Sequence, residues 1–294
     1  MFDFALSQQH LSDVLSKQVF FVVGVAKSGT TWLQKVLDGH PSVSCNGEGH
    51  FCDNLLPLLR DATEKYRAIL QERNQRMYKG DGGYPLLNGD HLNSLFAFAV
   101  AMVLGEQSRG KSVLSIGEKT PGHIRYMTQL SELFPRAKFL HIVRDGRDVV
   151  VSGWLHNLRV DEKETRKSFG DFSVYVRHVA GIWNRQIHMA RAFAAAHPER
   201  YLEFNYEELH RDPNPIIERI FRFIGVDSSP AVVELSLQAG AFEQLSRGRK
   251  RGEEDLGSHY RKGVVGDWKS HFDQASINIF MQQAGALLRE LGYE

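Results

Sequence analysis

The 294-residue chain carries 36 Lys and Arg against 35 Asp and Glu, a net charge of +1, so no global field draws it to nucleic acid or a membrane surface and any functional cation must be local. With 42% hydrophobic and 24% charged residues it reads as a globular protein long enough to bury one large core. Only two cysteines are present, Cys45 and Cys52, which excludes a disulfide framework and points to plain thiols in a reducing compartment.

Residues up to Lys17 form a short amphipathic lead-in without a basic n-region or a long apolar run. No stretch reaches the roughly 18 apolar residues of a membrane span, so a cytoplasmic location is expected. Val19 to Val23 is an apolar, β-branched and aromatic run that predicts a buried strand. Gly24 to Gly29 makes a turn, and Thr30-Thr31 opens a helix that stops at Gly39 before His40-Pro41. Ser42 to Cys45 is a short second strand and Asn46-Gly-Glu-Gly-His-Phe51 a loop. From Asn54 to Lys79 the spacing is helical, with Leu55, Leu58, Leu59, Tyr66, Ile69 and Leu70 on one side. Residues 80–85 break it, and Asp90 is read as the cap of a second helix, His91 to Glu106, apolar almost all round.

A strand over Ser112 to Ile116 runs into the loop Gly117-Glu-Lys-Thr-Pro121 and a helix to Phe134. Lys138 to Val143 is a clear strand, followed by a helix from about Asp145 and a long one from Phe172 to Ala196. Arg200 to Phe204 is a further strand. Helices follow at Pro213 to Ile224 and Ser229 to Leu237, then a loop over Gly240 to Gly266, then a helix over about Gln274 to Leu291. Strands alternating with helices predict one α/β domain over 1–294, a central parallel sheet flanked by helices with a P-loop-like nucleotide-binding core. Ligands on such sheets sit at the C-terminal strand ends. The loops after Val23, Ile116 and Val143 share that edge, which brings Lys27, Lys119 and Arg144 near one another. The basic run Arg247, Arg249, Lys250, Arg251 reads as a solvated flexible loop.

Strand, Gly-flanked loop and helix start aim several backbone N–H groups at one point, the arrangement that binds phosphate or sulfate. Gly24 and Gly29 have the G-x-x-x-x-G spacing, but Thr30 stands where a Walker A motif has lysine, and Lys27 lies inside the loop. A P-loop-type nucleotide kinase or NTPase is therefore the weaker alternative, and a non-catalytic nucleotide-binding module is another.

Three stretches resemble sulfotransferases that use 3′-phosphoadenosine 5′-phosphosulfate (PAPS). Lys27-Ser-Gly-Thr-Thr-Trp32 resembles their 5′-phosphosulfate loop, Val143-Arg-Asp-Gly-Arg-Asp-Val-Val-Val-Ser152 their 3′-phosphate segment, and Arg261-Lys-Gly-Val-Val-Gly-Asp-Trp268 their C-terminal R-K-G-x-x-G-D-W. The resemblance implies that Lys27 serves the leaving oxygen and that Ser28, Gly29, Thr30 and Thr31 donate to the 5′-phosphate. It implies that Trp32 stacks on adenine, with Tyr206 or Phe242, and that Arg144, Ser152, Arg261, Lys262 and Gly263 hold the 3′-phosphate. No metal is expected, because lysine and backbone dipoles supply the charge. Small-molecule members place a histidine base two residues after the lysine matching Lys119; here that position is Pro121. The stretch Asp38-Gly-His-Pro-Ser-Val with Gly47-Glu-Gly-His-Phe51 resembles instead the glutamate-using tyrosylprotein and heparan-type branch, which makes Glu48 the expected base, its pKa raised by desolvation, with His50 in reserve. Lys119 is expected to touch the transferred sulfonate. The insert over approximately 54–110 is expected to wall the acceptor site or to be plain scaffold. The acceptor's hydroxyl belongs to an alcohol, phenol, sugar, lipid or peptide tyrosine, which the sequence does not separate, and it leaves the oligomeric state equally open.

Overall fold

A computed structural model describes residues 4–79, 82–108 and 110–293. Five parallel strands, β1 (Gln18–Val23), β2 (Val43–Asn46), β3 (Ser115–Lys119), β4 (Lys138–Val143) and β5 (Tyr201–Asn205), form one sheet in the order β2-β3-β1-β4-β5. β1 pairs with β3 from Gln18 opposite Ser115 to Val22 opposite Lys119, and with β4 from Phe20 opposite Lys138 to Val23 opposite His141. Along β1 the side chains alternate between two cores. Val19, Phe21 and Val23 join one, and Phe20 and Val22 the other. A strand covered on both faces has no use for polar alternation, which is why Val19 to Val23 is uniformly apolar.

The first core is closed by α1 (Phe4–Ser16), α4 (Gly89–Gln107), α5 (Met127–Leu133) and the end of α7 (Phe172–Ala196); the second by α2 (Thr30–Asp38), α9 (Pro213–Ile224) and α10 (Pro230–Ala239). A third cluster joins the start of α6 (Gly146–Phe169) to α7 and α12 (Gln274–Glu290) around Trp183 and Phe280. α3 (Leu56–Tyr78), α8 (Tyr206–Arg211) and the single turn α11 (Phe242–Leu245) complete the chain. The connection after β1 leads left, through α2 to β2, while the one after β4 leads right, through α6 and α7 to β5. The crevice between their C-terminal ends is the switch point where a parallel sheet binds ligand.

Four expectations need correction. The third strand runs over Ser115–Lys119 rather than Ser112 to Ile116, so Glu118 and Lys119 lie on the strand and not in a loop. In the insert, the apolar side of α3 is covered only at its start: Leu55 and Leu59 pack against the first core, whereas Leu58, Tyr66 and Ile69 are exposed, and Leu56 alone in the helix is fully buried. Asn88, not Asp90, caps α4, in a reciprocal capping box with His91. Gly80 and Asp81 of the expected break lie outside the described residues. In the basic run Arg249 is held rather than solvated, donating to the carbonyls of Glu253, Tyr260 and Arg261, while Arg247, Lys250 and Arg251 are exposed. Both cysteines are buried and unbridged. No described helix is long and apolar enough to cross a membrane.

Candidate active site

A cavity of about 640 Å³ opens at the switch point. Its lining includes Lys27, Gly29, Thr30, Thr31, Trp32, Glu48, Arg144, Ser152, Tyr206, Phe242, Arg261, Lys262 and Gly263, thirteen of the sixteen residues named from the sequence. Ser28, His50 and Lys119 stand behind this lining. No described residue of the insert at 54–110 lines it; much of the remaining wall comes from α6 and α7, through Val149, Gly153, His156, Asn157, Tyr175, Val179 and Ile182, with Pro121, Gly122 and Arg125 after β3 and part of the C-terminal loop closing the rest.

The loop after β1 is bent to aim inward. Lys27 sits in the left-handed region (φ 75°) and Gly29 follows at φ 95°. Gly29 is required twice over, because a Cβ there would lie 2.5 Å from the Tyr206 ring. Gly29→Ala is expected to lower stability by about 1–3 kcal/mol through this overpacking and to weaken nucleotide binding; urea unfolding and calorimetry check the two. As N-cap of α2, Gly29 offers no side-chain cap, so the first amides of that helix stay available to an anion. Ser28 Oγ is buried with no hydrogen-bond partner among the described residues. Burial, then the cations Arg159, Arg144 and Lys119, lower the Lys27 pKa to about 8 against the pull of Glu48. This lysine is short of counter-charge, as a cation awaiting an anion must be.

Arg144 is the second pole. It donates to the carbonyls of Lys27 (3.2 Å) and Val264 (3.1 Å) and to Asp148 (3.3 Å), and its guanidinium stacks 4.6 Å from the Tyr206 ring centre. Its buried Nε has no hydrogen-bond partner among the described residues. Asp148 is the hub that ties α6 to the C-terminal motif, accepting from Gly266 N at 2.8 Å and Trp268 N at 2.9 Å. Arg261 and Lys262 both pair with Asp267, whose carboxyl is pushed up by burial but held below its usual range by these two cations. Gly263 also has a packing reason to be glycine: a Cβ there would meet the Phe242 ring at 2.6 Å, and its carbonyl accepts from His210 Nε2 at 3.0 Å. Trp32 is fixed by its Nε1–H, which donates to Gly240 O at 2.7 Å.

The third pole is Glu48. Lys119 Nζ donates to Glu48 Oε1 and lies 3.2 Å from Thr31 Oγ1, while His50 Nε2 lies 3.2 Å from Glu48 Oε2. Burial pushes the Glu48 pKa up, but the Lys119 hydrogen bond and charge, with His50 and His259, outweigh it and hold the carboxyl below its usual range. The expected upward shift is thus reversed, because Lys119 stands closer than the desolvation argument allowed. Beneath the loop, buried Glu118 accepts from Gly49 N at 2.7 Å and faces His123 Nδ1 at 3.0 Å, and Thr120 Oγ1 accepts from His50 N at 3.3 Å.

A family model described as Sulfotransferase family matches residues 19–230. The chain belongs to the sulfotransferase family. It is 25% identical over 277 residues to protein-tyrosine sulfotransferase A of Caenorhabditis elegans, covering 93% of this chain and 67% of that protein. It is 30% identical over 165 residues to the 3-beta-hydroxysteroid sulfotransferase of Cavia porcellus, covering 50% of this chain and 57% of that one. The chain thus spans between about half and two thirds of these relatives' lengths. Among solved structures, mouse sulfotransferase SULT7A1, complexed with PAP, superposes with a TM-score of 0.54 at 17% identity, covering 96% of this chain and 89% of that chain, a likeness of fold.

The sulfotransferase has site residues that sequence reasoning passed over. Asp148, Ser152 and His156 stand at successive i, i+4 positions, one stripe of α6, which Arg144 precedes. Extending that stripe from Ser152 would have found His156. Nothing in the sequence pointed to His259 or Tyr260, which reach the cavity from the 248–264 loop.

Proposed function

We propose that this sulfotransferase transfers a sulfuryl group from PAPS to a hydroxyl acceptor by in-line displacement. The observation that carries the reading is one cavity with two separate cationic poles, the loop of Lys27 to Thr31 and the cluster of Arg144 with Arg261 and Lys262. A 3′,5′-bisphosphate has two anionic ends and fits both. The uncapped start of α2, the unpartnered Ser28 hydroxyl and the unpartnered Arg144 Nε are donors in want of an acceptor. When bound, PAPS supplies the sulfuryl group and a phosphate leaving group. Thr30, Thr31 and the α2 amides would hold the 5′-phosphate, Arg144, Ser152, Arg261 and Lys262 the 3′-phosphate, and Trp32 with Phe242 or Tyr206 the adenine. Lys27 would neutralise the leaving oxygen, and Glu48 would take the acceptor's proton. Lys119, held between Glu48 and Thr31, would face the sulfonate. A kinase or NTPase reading loses to the family assignment and to Thr30 at the Walker lysine position; a non-catalytic reading leaves the Glu48–Lys119–His50 group without a purpose. The relatives named above modify protein tyrosine and hydroxysteroids respectively, and the mixed apolar and polar α6–α7 wall suits a hydroxyl carried on an apolar body.

Calorimetric titration tests the nucleotide. PAP is expected to bind far more tightly than ATP, and equal or tighter ATP binding defeats the reading. The same titration carries a pH signature. An anion beside Lys27 raises the pKa that now lies at about 8, so PAP binding near pH 8–9 takes up protons and its affinity falls as pH rises through that window. Titrations in buffers of different ionisation enthalpy measure the uptake; proton release on binding contradicts the placement of Lys27.

A further inference from the structure

His156 lines the cavity four residues after Ser152 on α6 and has no part in the roles above. Its Nδ1 lies 2.9 Å from Arg159 Nη2. A guanidinium has donors only, so Nδ1 must accept. An imidazole that accepts at Nδ1 is neutral and carries its proton on Nε2. Among the described residues Nε2 makes no hydrogen bond. The surroundings agree with a neutral ring: burial first, then Lys27, Arg159 and His259, push its pKa down to about 4, with Glu48 opposing. The lock is itself held, because Arg159 Nη1 donates to Gly257 O at 3.0 Å, and the His156 ring meets the His259 ring edge-on at 6.2 Å.

The imidazole stands beside Lys27. A small side recess is bordered jointly by Lys27, Ser152, His156, Arg159, His259 and Arg261, and His156 shares the main cavity's lining with Lys27 and Glu48. We propose that His156 presents its Nε2–H to a non-bridging oxygen of the transferring sulfuryl group, and that Arg159 is a positioning residue that fixes the tautomer. The same geometry denies His156 the part of a base, since Nδ1 is engaged and Nε2 already bears the proton. A neutral donor suits these oxygens: it stabilises charge on the sulfuryl group without adding a further cation to Lys27, Arg144 and Arg159. This rests on the PAPS reading.

The test is calorimetry with PAPS and with PAP, which differ by the sulfuryl group, in the absence of acceptor. His156→Phe is expected to lose about 5- to 20-fold in PAPS affinity, the worth of one hydrogen bond in a desolvated site, with PAP affinity held within about twofold. His156→Gln, whose side-chain N–H takes the place of Nε2–H, is expected to keep the PAPS affinity. Arg159→Met is expected to give a partial loss for PAPS alone, and the ¹⁵N spectrum of His156 is expected to change from the single Nε2–H tautomer to a mixture. If His156→Phe destabilises the fold in thermal unfolding, His156→Ala gives the same comparison. No loss in the Phe or Ala variant, or equal loss for PAP and PAPS, overturns the proposal. A His156 that keeps one tautomer in Arg159→Met overturns the part given to Arg159. Wild-type protein that binds neither nucleotide overturns the PAPS reading itself, and this proposal with it.

Discussion

Glu48→Gln is expected to cut turnover by about 10²–10⁴-fold, the usual worth of a general base, while PAP affinity barely moves. Glutamine keeps the size of the side chain and can still accept from Lys119, but it cannot take the acceptor's proton. The structure sharpens the pH dependence of this test. The Glu48 carboxyl is held below its usual range, mainly by Lys119 acting against burial. The wild-type rate therefore holds from neutral pH down through the ordinary carboxylate range and declines only below it, as Glu48 protonates. In the Gln variant that acidic limb disappears. A depressed pKa keeps Glu48 ionised but also makes it a weaker base, so contact between Lys119 and the sulfonate, which draws the cation away from Glu48, would restore basicity when it is needed. His50→Gln is expected to cost less, since it touches Glu48 Oε2 from the more exposed side. Near-normal turnover in Glu48→Gln, measured with an aliphatic alcohol acceptor, would move the base to His50. A phenol is already acidic and leans on the base less, so the loss with a phenol is expected to be the smaller one.

Arg144→Ala is expected to weaken PAP binding by about 2–4 kcal/mol, the cost of removing one partner of a desolvated charged pair. Adenosine 5′-phosphosulfate has no 3′-phosphate and should bind almost as before. Arg144 also joins Lys27 O, Val264 O and Asp148, so the variant loses internal bonds along with the ligand's. Asp148 keeps the amides of Gly266 and Trp268, which leaves the C-terminal motif anchored to α6. Calorimetry with both nucleotides separates the two effects: a loss confined to PAP assigns Arg144 to the 3′-phosphate, and equal losses make it a structural strut between the loop at Lys27 and the C-terminal loop at Val264.

The elements best read from sequence are those whose ends are written locally. β4 runs over Lys138–Val143 as expected because its apolar run is bounded by polar residues on both sides. α7 starts at Phe172 because Asp171 caps it through the amides of Ser173 and Val174, and α9 ends at Ile224 because Gly225 takes the left-handed conformation (φ 75°). The three family motifs were legible for the same reason, since each is a contiguous stretch with its own spacing. β3 was misplaced because Glu118 and Lys119 look like loop residues. They are buried in a strand because Gly49 N and Thr120 Oγ1 donate to the first and the second donates to Glu48. The exposed side of α3 was misread because helical periodicity shows that a face is apolar but not whether anything covers it.

The amino-acid sequence by itself determined the parallel α/β scaffold, the anion loop at Lys27 and the residue types at both poles of the cavity, since apolar runs, caps and turn residues act over a few positions. Tertiary structure alone decided the ionisation of Glu48, the partners of Arg144 and the tautomer of His156. The Glu48–Lys119 contact spans 71 positions and the Arg144–Val264 contact 120. Coulomb energy and desolvation depend on distance and burial in the folded chain, not on separation along it.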